Sequence, residues 1–387
     1  MKTNTETTNT YRKWLITVIC VCITLIISIA GINAIVDPYF HYHKPVTAYR
    51  LYEERNINDG IARHFDYDAI IIGNSLTENF RTTRFDELFG TNSVKLPYSG
   101  AGVRELWAAL GRTLGRKALN DNNLYYVRGV RSDIVDEYDA YKGYRNDVKT
   151  VFVCMDIEDG IRSFWWTRYN ESPDYLYDDS LINDIRYLMN KETFYRGTVY
   201  NLGMTLTGKE STGFDEYSSW ERESGPKQAC QTLTEIKKDV TPQRFFGDEE
   251  KEKIYYNVEC NIFPVVDANP DVDFILFIPP FSIAKWAEYY NDGELEYRLD
   301  NTEYLINKLL ERDNIRLYSF LGEYDVVTNL SRYCDEIHYD QEINDWILAR
   351  IAENENGVDE ENVNEYFDGV RRFYINYDYT TLNEYIR

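Results

Sequence analysis

From Trp14 to Val36 the chain reads WLITVICVCITLIISIAGINAIV, with no charged residue, and this run constrains everything else. At 1.5 Å rise per residue, a helix of that length crosses a hydrocarbon core of roughly 30 Å. Asn33 is its one strongly polar side chain and lies near an end. Arg12 and Lys13 abut the run, and Asp37-Pro38 close it. The alternative is a cleaved signal peptide, whose apolar region runs about 7–15 residues before a small-residue cleavage site. Here only Ser28-Ile29-Ala30 offers such a site. The run reads as an uncleaved transmembrane helix, 14–36, after a cytoplasmic tail, 1–13. Residues 37–66 then form a stalk and 67–387 one large domain. Lys2, Arg12 and Lys13 precede the span, whereas Lys44 and Arg50 follow at a distance. The positive-inside bias therefore predicts a single-pass protein of the cell membrane, N-terminus inside and main domain extracytoplasmic.

Net charge is −23, from 42 basic and 65 acidic residues. General nucleic-acid binding needs a basic footprint, so this balance argues against it. Acidic blocks such as Asp248-Glu249-Glu250 read as solvated surface. Cys20 and Cys22 fall in the span. Cys154, Cys230, Cys260 and Cys334 are widely spaced, so no zinc site is readable and no disulfide can be assigned. No cofactor motif is visible. The 34 tyrosines suit sugar grooves and ordinary strands alike.

Five apolar runs follow the span: Asp68 to Gly73, Ser93 to Pro97, Lys149 to Met155, Val272 to Ile278, and Ile315 to Ser319. Runs rich in Val, Ile and Phe without clean alternation suit strands covered on both faces. Helical spacing separates them, at Arg104 to Leu119, Asn301 to Arg312 (with Asn301 as a cap) and Gln341 to Glu353. The alternation predicts an α/β fold with a mainly parallel five-stranded sheet, and ligands then sit beyond the strands' carboxyl ends. Residues 160–270 break the alternation. They read as a mostly helical insertion (for example Leu181 to Lys191) over one end of the sheet, either a substrate-binding cap or padding.

The first strand runs into Gly73-Asn74-Ser75. Ser75 is either a helix cap or an exposed serine whose own N–H, with neighbouring N–H groups, faces developing negative charge. A serine nucleophile needs a base, usually a histidine oriented by a carboxylate. Of the four histidines, His41 and His43 lie beside the span and His64 precedes the first strand. His338 alone follows the last strand, with Asp335 three residues before it. Each also reads as an ordinary surface residue.

Taken together, Gly73-Asn74-Ser75 after strand one and Asp335-x-x-His338 before the final helix resemble the SGNH/GDSL hydrolase superfamily. The resemblance implies a three-layer, flavodoxin-like fold over most of residues 67–350. It implies Ser75 as nucleophile, His338 as base and Asp335 as its orienting carboxylate. An oxyanion glycine is implied in Tyr98-Ser99-Gly100-Ala101-Gly102, Gly100 first and Gly102 next. Two positions depart from the family pattern. Asn74 stands where aspartate is usual, and Asp156 follows strand three where an asparagine amide is usual. An ionised Asp156 would repel an oxyanion, so it has another role, such as binding substrate, or the third donor comes from elsewhere. An N-terminal anchor with an outward domain resembles the members that modify cell-surface polymers, the alginate acetylation and DltD-like teichoic-acid alanylation proteins. That implies a cell-surface polysaccharide or teichoic-type polymer as substrate and a multi-spanning membrane acyltransferase as partner.

A rival reading is a non-catalytic binding or assembly protein on the same fold. A third is an acidic metal site built on Asp156, Glu158 and Asp159. Pro279-Pro280-Phe281-Ser282 reads as a strand terminator or a site wall. Trp165-Trp166-Thr167-Arg168-Tyr169 suits sugar stacking or core packing. Asn170-Glu-Ser and Asn329-Leu-Ser match the glycosylation acceptor pattern.

Overall fold

The computed structural model describes residues 2–122, 139–158, 160–169 and 172–386, with side chains from residue 9 onward. Asp159 and Asn170, named above, lie outside the described residues. The chain divides into two compact units, residues 1–65 with 171–213, and residues 66–170 with 214–387.

In the first unit a single helix, α1, runs Lys2–Val36. It starts earlier than residue 14 because no proline or glycine breaks the polar segment before it. Its stretch Asn9–Val36 is long and apolar enough to cross a membrane. Thr17, Thr24 and Ser28 donate their hydroxyls to carbonyls one turn back, at 2.8–3.0 Å, so these polar groups are satisfied within the helix.

The segment after α1 folds into a tight turn followed by a short helix. Asp37 adopts φ +45°. Its carboxylate accepts the N–H groups of His41, Tyr42 and His43 and the hydroxyl of Tyr187. Tyr39 stacks on Tyr187 with ring centres 5.4 Å apart. Helix α2, Glu54–His64, approaches this turn so closely that a Cβ on Gly60 would stand 2.1 Å from the Tyr39 carbonyl oxygen. Between Leu181 and Lys191 only Ile185–Leu188 is α-helical.

The second unit holds a six-stranded sheet in the order β2-β1-β5-β6-β7-β8. Its strands are β1 Ala69–Gly73, β2 Ser93–Pro97, β5 Thr150–Cys154, β6 Asp273–Ile278, β7 Ile315–Ser319 and β8 Gly357–Val358. A separate two-stranded ladder pairs β3, Gly115–Arg116, with β4, Tyr141–Lys142. Five strands of the large sheet are parallel, and β8 pairs antiparallel with β7. The expectation of five strands is corrected to six. Two residues are too few to show as an apolar run.

Taken in chain order, the parallel strands lie 2-1-3-4-5, a doubly wound arrangement with its switch point between β1 and β5. Ile70, Ile71, Ile72, Phe152 and Phe277 are fully buried, and Phe152 stacks on Phe277 at 4.9 Å. Burial on both faces explains why the runs lack alternation.

Helix boundaries shift for local reasons. α3 spans Thr82–Phe89, and α4 spans Val103–Leu114. α4 stops before Leu119 because Gly115, at φ +96°, turns the chain into β3. The helix Leu295–Leu309 begins earlier than Asn301. Asn301 is buried inside it and donates to the Tyr297 carbonyl at 2.7 Å, so it is not a cap. The stretch 160–270 is not one insertion. Residues 172–213 fold with the first unit, and 214–270 fold with the sheet.

Candidate active site

β1 ends at Gly73, where a side chain has no room. A Cβ there would stand 2.5 Å from Thr77 Cγ2 and 2.9 Å from Cys154 Cβ. The chain then turns into a 3₁₀ segment, Ser75–Thr77, capped by Asn74, whose Oδ1 accepts the Leu76 N–H at 3.0 Å. With the cap supplied by Asn74, Ser75 is left at the carboxyl edge with its hydroxyl available. The Ser75 Oγ lies 2.7 Å from His338 Nε2. On the other side of the ring, His338 Nδ1 is 2.7 and 2.9 Å from the two Asp335 oxygens. A carboxylate only accepts, so Nδ1 carries the proton and Nε2 accepts the Ser75 hydroxyl.

Asp335 is further fixed by the backbone N–H groups of Ile337 (3.0 Å) and His338 (2.7 Å). Burial alone would raise its pKa. Its hydrogen bond with His338, that ring's charge and the two N–H donors outweigh burial and hold the carboxyl below its ordinary value.

The 334–338 turn is propped from behind. Cys334 N–H donates to the His338 carbonyl at 2.8 Å. Ser282, fully buried, donates its hydroxyl to the Glu336 carbonyl at 2.7 Å. The Tyr333 hydroxyl donates to the Pro280 carbonyl at 2.6 Å. The Pro279–Ser282 segment therefore does more than end a strand. It carries the floor of the turn that presents Asp335 and His338.

β1 and β2 run side by side, Gly73 opposite Pro97, and Tyr98 N–H donates to the Gly73 carbonyl at 2.8 Å. That register sets the Ser99–Gly102 loop beside Ser75. Gly100 takes φ +66°, the left-handed region. Among the described residues, the N–H groups of Ser75, Gly100 and Gly102 have no hydrogen-bond partner.

The Trp165–Tyr169 cluster closes over this loop. A Cβ on Gly102 would stand 2.8 Å from the Trp166 ring, and one on Gly100 would stand 3.2 Å from Arg168 Nε. Arg162 lies over the Trp166 ring at 4.2 Å. The Arg168 backbone N–H donates to Glu105 Oε2 at 2.7 Å, but among the described residues neither the Arg162 nor the Arg168 guanidinium is in an ion pair. Most of the chain's other arginines, Arg63, Arg298 and Arg312 among them, are ion-paired.

Asp156 follows β5 and is buried. Its Oδ2 accepts from Asn74 Nδ2 at 3.2 Å and its Oδ1 from Glu158 N–H at 2.9 Å. The two residues that depart from the family pattern are therefore partners. Burial, reinforced by the Glu158 charge, raises the Asp156 pKa against the pull of the Glu158 N–H, Arg162 and Lys285. Glu158 itself pairs with Arg298 at 2.8 Å and accepts the Tyr289 hydroxyl at 2.7 Å. Its oxygens are turned to that pair, and among the described residues no three metal-ligating side chains converge.

No family model, curated protein or solved structure matches this chain. The reading of the site therefore rests on its geometry.

Two side chains of the site gave no sequence signal. Trp220 meets the His338 ring edge to face, with centres 5.4 Å apart, and its backbone N–H donates to Asn79 Oδ1 at 2.9 Å. Arg222 stacks on Trp220 at 4.5 Å and reaches Asp335 Oδ2 at 3.4 Å. Both come from the stretch 214–225, which has neither strand nor helix periodicity. All six cysteines are free, with Cys20 and Cys22 exposed on α1 and the others buried.

Proposed function

We propose that this chain is a membrane-tethered serine esterase or O-acyltransferase acting on cell-envelope polymers. The observation that carries the reading is the connected row from Ser75 through His338 to Asp335, at hydrogen-bond distances throughout. Ser75 Oγ attacks an ester carbonyl carbon while its proton passes to His338 Nε2. The carbonyl electron pair moves onto oxygen, facing the N–H groups of Ser75 and Gly100, with Gly102 beside them. Collapse expels the alkoxide, which takes the proton from Nε2 and leaves an acyl-serine. Water or a polymer hydroxyl then attacks that acyl group, with His338 again as base, so hydrolysis and transfer share the first half-reaction. Asp335 holds Nδ1–H throughout.

The strand order supports the three-layer, flavodoxin-like fold that the SGNH resemblance implies, with Ser75 at the switch point. Burial raises the Asp156 pKa, which lessens the negative charge that a nearby oxyanion would meet. The guanidinium groups of Arg162 and Arg168 by the glycine loop, in no ion pair among the described residues, favour a polymer bearing carboxylates or phosphates. A multi-spanning acyl-donor partner rests on the family resemblance alone.

The rival, a non-catalytic binding protein, is favoured by one observation, the carboxyl of Asp156 where an amide is usual. Labelling with a serine-directed fluorophosphonate separates the two. We expect labelling of the full-length chain and its loss in Ser75→Ala. Labelling that survives the substitution removes Ser75 as the reactive serine. A chain that neither labels nor turns over aryl esters, yet binds envelope polymer, points to the rival.

A further inference from the structure

The segment 181–206 is built inside out. Most of its buried side chains are polar, with Asp184, Thr193, Thr198 and Asn201 each at 1 % exposure or less, beside the buried Tyr187 and Met204. Its exposed side chains are largely apolar, with Leu181 76 %, Ile182 91 %, Ile185 58 % and Leu206 86 % exposed, joined by Tyr195, Val199 and Tyr200. A domain packed for water does the reverse. Part of this buried polar set is paired, while Thr193 Oγ1 and Asn201 Nδ2 have no partner among the described residues. Asn33 of α1, itself fully buried, donates to the Leu188 carbonyl at 2.7 Å and accepts the Thr198 hydroxyl at 2.6 Å. Asp184 accepts from the Tyr42 hydroxyl at 2.9 Å and lies 3.2 Å from His41 Nε2.

The depth of this segment follows from α1. A bilayer core takes about 20 helical residues. Lys13 is the last charge before the run, so a span begun at Trp14 ends near Asn33. The groups that bond Asn33 therefore stand at the far boundary of the hydrocarbon, and the segment around them stands there too. At that depth, apolar side chains pointing outward meet acyl chains. Arg186 and Lys191, both exposed, can extend to lipid phosphates, whereas Arg196 is paired with Glu53 and Glu192.

We propose that residues 181–206 form a second, monotopic membrane contact. They seat the first unit in the leaflet where α1 emerges, with phospholipid as the partner. The contact continues the α1 surface, since Ile32 and Ile35 on the same helix end are also exposed. It is independent of the chemistry proposed for Ser75 and rests only on α1 as a span.

The test uses the full-length chain carrying Cys20→Ser and Cys22→Ser, with one cysteine introduced by Ile182→Cys or Leu206→Cys and labelled with an environment-sensitive nitrobenzoxadiazole dye. Phe245→Cys, at a site 74 % exposed in the second unit, is the control. Each labelled chain is placed at one copy per nanodisc of phosphatidylcholine and phosphatidylglycerol. We expect blue-shifted emission at 182 and 206, quenching by doxyl-labelled lipid and protection from iodide, with the reverse at 245. Iodide quenching at 182 and 206 equal to that at 245 overturns the proposal. So does shielding that appears only with several copies per disc, which would assign the surface to a second copy. Carbonate extraction tells the two readings apart. A chain that is extracted fails the span, whereas one that resists extraction while iodide reaches 182 fails only this contact.

Discussion

His338 is held from both sides, and each hold makes a separate expectation. Asp335→Asn removes the acceptor that fixes the proton on Nδ1, so Nε2 no longer faces Ser75 reliably as a base. Steady-state ester hydrolysis should fall by about 10²–10⁴ in kcat with little change in KM. Circular dichroism should be unchanged, because the backbone N–H groups of Ile337 and His338 can still bond the amide oxygen.

Asp156 gives a pH expectation with a defined sign. Its folded pKa is raised, so its contribution to stability is fully present below the ordinary carboxyl value near 4 and is lost as pH rises through the folded value. Asp156→Asn removes that titration and replaces the oxygen that accepts from Asn74 Nδ2 with a donor, a cost of about 1 kcal/mol at every pH. The variant should therefore be less stable than wild type at pH 4–5 and recover relative to it by pH 8, as read by thermal melts across that range. A pH-independent difference would show that Asp156 is not held protonated by its surroundings. Substituting Arg162 and Arg168 together with glutamine should weaken turnover of anionic acyl acceptors selectively. Hydrolysis of a neutral aryl ester, which needs neither guanidinium, should be spared.

At the scale of elements, the site depends on how closely strand ends and loops approach. Gly73→Ala places a methyl group against Thr77 and Cys154, so overpacking of about 1–3 kcal/mol is expected, with loss of activity through displacement of Ser75. Ser282→Ala removes both the cap of the helix Ile283–Asn291 and the hydroxyl on the Glu336 carbonyl. It should cost about 1 kcal/mol in a denaturant melt. If the turn it supports positions His338, kcat should drop more than stability alone accounts for, with KM unchanged.

The sheet itself was legible, because strands buried on both faces must be continuously apolar. All five long runs form strands with ends shifted by at most a residue or two. β8 was not legible, since its two residues pair with β7 through backbone groups that any sequence carries. The catalytic candidates were legible as residue types at strand ends, but their contact was not. Ser75 and His338 are 263 positions apart, and only the strand order brings them to hydrogen-bond distance.

For the whole molecule, α1 serves as more than a tether. Asn33 and Val36 are buried in the first unit. Removing residues 2–36 should therefore unfold that unit, whereas removing 2–28 should leave its core intact. The shorter deletion should lose carbonate-resistant membrane association, yet still sediment with vesicles at neutral pH through residues 181–206. The net charge of −23 sets overall repulsion from anionic lipid against the few basic residues of the segment, so apolar contact should dominate that residual binding and it should persist at high salt. Sidedness is open to a direct check. An impermeant thiol reagent applied to intact cells should reach a cysteine placed at Phe245 if the main domain is extracytoplasmic, and should not reach one placed at Thr10.

By itself the sequence determined a helix long and apolar enough to span a membrane, the α/β alternation, and the residue types at the carboxyl ends of β1 and β7. Each of these is written in local hydrophobic spacing or in a short motif, and burial acts on such patterns within a few neighbouring residues. Only the tertiary structure decided that residues 172–213 fold with the apolar helix α1 while 214–270 fold with the sheet. It also decided that Asn74 meets Asp156 and that Trp220 and Arg222 stand against His338 and Asp335. Those pairings are set by where the chain returns in space. Side chains brought together from distant positions leave no periodic trace at either one.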